Sequence, residues 1–169
     1  MWSSARRGFK RLFETAAPLP RDDATAIIQF GERLQHLPFT LARRSVLCLH
    51  ATDDEVRAFI SQGAFAVGLA FEPTAASPYQ INGKVHRLQF AAASIDVVYL
   101  GRAGRFDPAV LPEVQRVLPL EGLLIAELPL ASADMLLPRI LASGFRLELR
   151  TSFDAPAPGV NVVFRKSRP

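Results

Sequence analysis

The sequence predicts an α/β fold: a mostly parallel sheet with an antiparallel last strand, behind an N-terminal helical extension. Three observations predict it. From Ser45 onward, short apolar runs alternate with segments of helical period, the signature of repeated β–α units. The first run, "SVLCL", is nearly all apolar, as a strand covered on both faces of a parallel sheet must be. The last two runs, "FRLELRTSF" and "VNVVFRKS", are joined by "DAPAPG", too short for a crossover helix, so they are expected to pair antiparallel.

Composition bounds what such a fold can be. The chain has 169 residues, 49% of them hydrophobic, enough for one domain with a sizeable core plus an extension. Its 20 Lys and Arg against 16 Asp and Glu give a formal charge of +4, which favours anionic surroundings without by itself making a nucleic-acid binder. A single cysteine, Cys48, excludes an internal disulfide and a cysteine-rich zinc site, and fits a reducing compartment. No apolar run reaches the roughly 20 residues that span a bilayer; the longest candidate, "GLLIAELPLASADMLL", carries Glu127, Pro129 and Asp134.

Three stretches divide the chain: a basic amphipathic segment over 1–20, a helical lead-in over 21–42 and the α/β domain over 43–169. In the first, Arg6, Arg7, Lys10 and Arg11 precede the first acid, Glu14, while Trp2, Phe9, Leu12, Phe13 and Ala16 share one helical face. Acid-poor helices of this kind serve mitochondrial or other organelle targeting, or lie on a membrane surface. Equally, such a helix packs on a protein partner; without a targeting role the chain is expected in the cytoplasm. Two prolines in "APLP" end the segment. The lead-in helix is capped by Asp22 or Asp23 and carries Ala24, Ile27, Ile28 and Leu34 on its expected apolar stripe.

The elements of the domain follow in order. After "SVLCL", Thr52 or Asp53 caps a helix with Val56, Phe59 and Ile60 inward and Gly63 as its stop. "AFAVGLAF" is the second strand and "EPTAASP" a loop; the third strand is placed in "KVHRLQF". "SIDVVYL" leads through "GRAGRF" to Asp107, which caps a helix with Pro108 in its first turn and Val110, Leu111, Val114, Val117 and Leu118 on its core face. "GLLIAELP" runs to a helix capped by Ser132, with Met135, Leu136, Ile140 and Leu141 inward and Pro138 bending the axis. Asp96 and Glu127 lie on strands, where strand-end hydrogen bonding accounts for them.

The words "RSVLCL", "GAFAVGLAFEP", "LQFAAASIDVVYL", "FDPAVLPEVQRVLPLEGLLIAELP" and "LASGFRLE", in this order, resemble a class I S-adenosylmethionine-dependent methyltransferase of the type 11-like small-molecule kind. The resemblance covers about residues 43 to 166 and is strongest over Phe90–Tyr99 and Asp107–Glu127. It implies a Rossmann-like methyltransferase sheet, here reduced around the second crossover, where the family's helix shrinks to about ten residues.

The resemblance also implies a cofactor site, and the departures from the family pattern concentrate there. A glycine-rich turn normally lets backbone approach the ligand; its glycine positions fall on His50, Thr52 and Asp54, and the family's strand-end acid falls on Cys48. The ribose-binding acid aligns with Ala70, while Glu72, two residues on, can point the same way if the strand continues. The adenine-reading position near the third strand has no carboxylate in "KVHRLQF". Candidate cofactor-binding residues are therefore Leu49, His50, Ala51, Thr52, Phe71 and Glu72.

Two functions follow from the resemblance. One is a methyltransferase-like pseudoenzyme with a degenerate cofactor pocket, kept as a binding or assembly module; the other is an active, divergent transferase of unknown acceptor, with S-adenosylmethionine held through Glu72. A third reading, RNA association, uses Arg43, Arg44, Arg102 and Arg105. His50, at a strand's carboxyl end, sits where open α/β sheets bind ligands. Cys48 reads as a small core residue, and His36 and His86 as surface residues. Methyl transfer relies on in-line positioning more than on one universal base, so no catalytic residue is assigned.

Overall fold

The computed structural model describes residues 24–70, 77–101, 107–153 and 159–167. The basic segment over 1–20, the caps Asp22 and Asp23, Phe71, Glu72, Arg102 and Arg105 lie outside the described residues. Seven strands form one sheet in the order β3-β2-β1-β4-β5-β7-β6. In chain order the elements are α1 (Ala24–Gln35), β1 (Ser45–Leu49), α2 (Asp53–Ser61), β2 (Phe65–Ala70), β3 (Gln80–Asn82), β4 (Val97–Leu100), a 3-10 turn (Pro108–Val110) running into α3 (Leu111–Val117), β5 (Leu123–Pro129), α4 (Leu130–Ala142), β6 (Phe145–Phe153) and β7 (Gly159–Lys166). β1 through β5 pair in parallel, and β7 enters antiparallel between β5 and β6. This is the mixed sheet that the apolar runs predict.

The period-two alternation of each strand splits the core in two. Val46, Cys48, Val97, Tyr99 and Ile125 face one way, onto Phe30 and Leu34 of α1 and Val56 and Phe59 of α2. Leu47, Leu49, Val98, Leu100, Leu124 and Ala126 face the other way, onto Val110, Val114 and Val117 around α3 and Ala133, Leu136 and Ile140 of α4. The rings of Phe30, Phe59 and Tyr99 meet edge-on or tilted, with centroids 5.0 to 5.7 Å apart. Through Phe30, Leu34, Leu37 and Leu41 the lead-in helix and the segment after it join the same core as β1. Asp96 fixes the amino ends of β1 and β4 to each other: its carboxylate accepts from Ser45 N–H at 3.0 Å and Ser45 Oγ–H at 2.9 Å, and its own N–H donates back to Ser45 Oγ. Strand-end hydrogen bonding is indeed its role.

Four expectations are corrected. The third strand is Gln80–Asn82, not "KVHRLQF"; Lys84 and Arg87 instead form an isolated antiparallel bridge closing a tight turn. Gly83 causes the change, because a Cβ there would sit 2.6 Å from Leu69 Cδ1, so the chain passes hard against the core and then turns. The helix after β5 starts at Leu130 directly off the strand, with no side-chain cap from Ser132. Its inward stripe is Ala133, Leu136, Leu137 and Ile140, whereas Met135 and Leu141 are exposed. In α1, Ile28 is exposed and Phe30 takes the inward place. Both helices carry more apolar side chains than one sheet-facing stripe of about 100° can cover, and the surplus goes to the surface.

Candidate functional site

In a parallel sheet every strand points its carboxyl end at the same edge, and a crevice opens where the chain order reverses. Here the reversal lies between β1 and β4, so the turn Leu49–Thr52 and the end of β4 form its two sides. His50 adopts φ +55°, a left-handed conformation that costs a residue with a Cβ roughly 1–2 kcal/mol. This conformation turns the chain out of β1 and into the helix start. Gly101 lies directly opposite: its N–H donates to Leu49 O at 2.9 Å, and a Cβ on it would sit 2.7 Å from His50 O and 3.1 Å from Ala51 Cα. The two backbones are in contact, and only a glycine at 101 permits it.

Thr52 begins α2 with a complete capping box, as the sequence predicts. Its Oγ1 accepts from Glu55 N–H at 3.3 Å, and the Glu55 carboxylate accepts from Thr52 N–H at 2.6 Å. The other Glu55 oxygen accepts from Tyr99 Oη–H at 2.6 Å. Burial first, then the charges of Glu127 and Glu55, push the Tyr99 phenol well above its ordinary value, so it stays a donor at any physiological pH. Asp53 is equally committed: Ser77 Oγ–H donates to it at 2.7 Å and Gln80 Nε2–H at 2.6 Å. Gln80 reaches across β2 because position 68 is glycine; a Cβ there would lie 3.0 Å from Gln80 Cγ and 3.1 Å from Val56 Cγ2. Asp54 pairs with Arg57 at 3.3 Å. The acids that follow the turn are thus held by the protein's own donors.

On the outer side of the turn, His50 is half-buried and desolvation lowers its pKa, with the Asp107 carboxylate opposing that shift and His86 reinforcing it. Asp107 accepts from Ala109 N–H at 2.9 Å, capping the 3-10 turn as predicted, and its second oxygen lies 3.6 Å from His86 Nε2. His50, His86 and Asp107 therefore gather at one mouth, with His86 exposed and Asp107 a cap, as the sequence reads them. Their common signal is position: His50 and Asp107 both follow the carboxyl ends of adjacent strands. Among the described residues no group of three or more His, Cys, Asp or Glu is arranged to hold a metal ion.

Of the predicted cofactor residues, Leu49 is buried in the core, Ala51 is half-buried and Thr52 is the exposed cap. Phe71 and Glu72 fall outside the described residues. Cys48 is fully buried, and desolvation pushes its thiol pKa well up, so it is a core residue. Arg43 and Arg44 lie just before β1, at the opposite edge of the sheet from the crevice, with Arg44 over the Phe39 ring at 5.4 Å. No described helix is long and apolar enough to cross a membrane.

No protein-family model matches this chain, and no curated protein matches it in sequence. Solved structures do match it in fold. A chain of the complex between the Haloferax volcanii Trm112 methyltransferase activator and a methyltransferase superposes with TM-score 0.64 at 14% identity, covering 90% of this chain and 100% of that one. The Burkholderia thailandensis 1,6-didemethyltoxoflavin-N1-methyltransferase, bound to 1,6-didemethyltoxoflavin and S-adenosylhomocysteine, gives 0.63 at 16%, covering 96% of this chain and 87% of that one. An S-adenosylmethionine-dependent methyltransferase from Mesorhizobium loti gives 0.60 at 14%, over 85% and 99%. The chain carries the Rossmann-like fold of the class I S-adenosylmethionine-dependent methyltransferases, with its mostly parallel seven-stranded sheet and antiparallel last strand.

Proposed function

We propose that this chain is a methyltransferase-fold protein whose cofactor site is filled by its own residues, and that it works as a binding or assembly module. The observation that carries the reading is the contact across the β1–β4 crevice. At the position of the family's glycine turn stands His50 with a strained backbone, and its carbonyl lies so close to Gly101 that no Cβ fits there. The polar groups beside the turn support the same reading. Glu55 and Asp53 accept from Thr52, Tyr99, Ser77 and Gln80, which leaves them little capacity for a ligand. The residues present do not suit S-adenosylmethionine at this turn.

Equilibrium dialysis against radiolabelled S-adenosylmethionine tests the proposal: no saturable retention is expected, and micromolar retention overturns it. The alternative, an active divergent transferase, draws support from the S-adenosylhomocysteine bound in the Burkholderia relative. It requires Glu72 to hold the ribose and so predicts tight binding that Glu72→Ala abolishes. An assembly role agrees with the Haloferax relative, which is bound to a protein activator. Under this proposal the basic segment over 1–20 is the part that docks on a protein partner or directs the chain to an organelle such as the mitochondrion; deleting it should release the partner or return the chain to the cytoplasm. RNA association through Arg43, Arg44, Arg102 and Arg105 is a weaker proposal, and it predicts binding that falls steeply with salt.

A further inference from the structure

Beyond β3 the surface opens into a cleft of about 790 Å³ lined by Asn82, Gly83, Lys84, Arg87, Leu88 and Gln89. Small-molecule sites typically measure roughly 300–1,000 Å³. The described lining carries two cations and two side-chain amides, and no carboxylate. Neither Lys84 nor Arg87 has an ion-pair partner among the described residues. Arg57, Arg116, Arg146, Arg150 and Arg165 all have one. Arg87 lies near enough to Glu113 to depress its pKa, but the Glu113 oxygens already accept from Arg116 and from Leu88 N–H.

The lining is also held in place. Arg87 N–H donates to Lys84 O at 3.1 Å, and the two residues face each other across the bridge, so their side chains start about 5 Å apart. Val85 and Leu88 are buried and root the turn in the core. Arg116 donates to the carbonyls of Leu88 and Phe90, both at 2.8 Å, while Glu113 takes Leu88 N–H at 2.8 Å. Two cations with no ion-pair partner among the described residues, fixed side by side at a concave, braced surface, favour a compact dianion: Lys supplies a point charge, and Arg a fork that matches two oxygens of a phosphate.

We infer that this cleft binds a small phosphorylated molecule, with Lys84 and Arg87 holding its phosphate and Asn82 and Gln89 meeting its polar remainder. A nucleic-acid strand fits less well. Arg43 and Arg44 precede β1 at the opposite edge of the sheet, and Arg165 and Lys166 on β7 are bound to Glu148 and to the carbonyls of Gln115 and Leu118. The inference goes beyond the proposed function: its residues lie past β3, in the segment where the family's adenine-reading position falls, and the contact that carries the proposed function lies on the β1 turn.

Isothermal titration of the full chain with inorganic pyrophosphate, ADP, ribose 5-phosphate and adenosine tests it. Pyrophosphate and at least one of the organic phosphates should bind saturably, and adenosine at least about tenfold more weakly than ADP, since the phosphate carries the recognition. Which organic phosphate binds more tightly identifies the source of the phosphate. Lys84→Gln with Arg87→Gln should weaken the phosphates at least about tenfold without altering the circular dichroism, because both side chains are exposed. Should the double variant lose its fold, each single variant carries the same comparison with a smaller loss. Failure of pyrophosphate to bind, equal binding of adenosine and ADP, unchanged affinity in the variants, or binding of a single-stranded RNA oligonucleotide without ADP would each overturn the inference. S-adenosylhomocysteine, which has no phosphate, is titrated in parallel against the wild type and the double variant: binding that the variant keeps bears on the filled-site proposal and not on the phosphate site.

Discussion

The two halves of the sheet are built by different means. On the side of β5, β7 and β6 the strands are long, pairing residue against residue from Leu123↔Arg165 to Pro129↔Gly159, with a bulge between Leu147 and Leu149. Their stability is apolar: Val160, Val162 and Phe164 are wholly buried. On the side of β1, β2 and β3 the ladder shortens to the three residues Gln80–Asn82. There, polar side chains tie the elements together, chiefly Asp53 to Ser77 and Gln80, and Glu55 to Thr52 and Tyr99. The first half is joined by long apolar ladders, and the edge of the second by side-chain hydrogen bonds.

Substitutions on the two sides should separate this contrast by magnitude. Phe164→Ala empties a site with no solvent exposure, beside the Phe145 ring at 6.5 Å, and should cost about 3–5 kcal/mol, read as a large drop in denaturant midpoint. On the crevice side, Gly101→Ala should cost about 1–3 kcal/mol, because the added methyl meets a backbone oxygen and the β1 turn must shift; a loss below a few tenths would show that the two turns do not press on each other. Gln80→Ala removes one of the two donors to Asp53 and should cost about 1 kcal/mol, with the amides of residues 77–82 exchanging faster while those of β7 are unchanged.

The smallest effects lie at His50. Glycine relieves its positive φ, so His50→Gly should leave stability equal or raise it by up to about 1 kcal/mol. Desolvation lowers the folded-state pKa of His50, so the unfolded chain binds the extra proton more readily. Its contribution is complete above the ordinary histidine value of about 6.5 and is lost as pH falls from there through the lowered value. Denaturation midpoints between neutral and mildly acidic pH should show this slope in the wild type, and His50→Gln should flatten it.

Much of the fold is legible in the sequence because the apolar runs are unambiguous. "SVLCL" is β1 to the residue, and "GLLIAELP" is β5 within one residue at its start. The helix faces are less legible. In "LASADMLLPRILA" several stripes have helical spacing, and only contact with the sheet selects Ala133, Leu136, Leu137 and Ile140 over Met135 and Leu141. At the candidate site the local part is readable, since Thr52 and Glu55 are three residues apart and form a capping box. The distant partners are not: Tyr99 reaches Glu55 across 44 positions, and Gln80 reaches Asp53 across 27. No periodicity records that a glycine at 68 clears the path between them.

The filled crevice is tested most directly by calorimetric titration of the wild type and His50→Gly with S-adenosylhomocysteine, side by side. The account predicts no saturable heat from the wild type, and measurable binding only where the imidazole has been removed. Micromolar binding by the wild type, unchanged in His50→Gly, would contradict it.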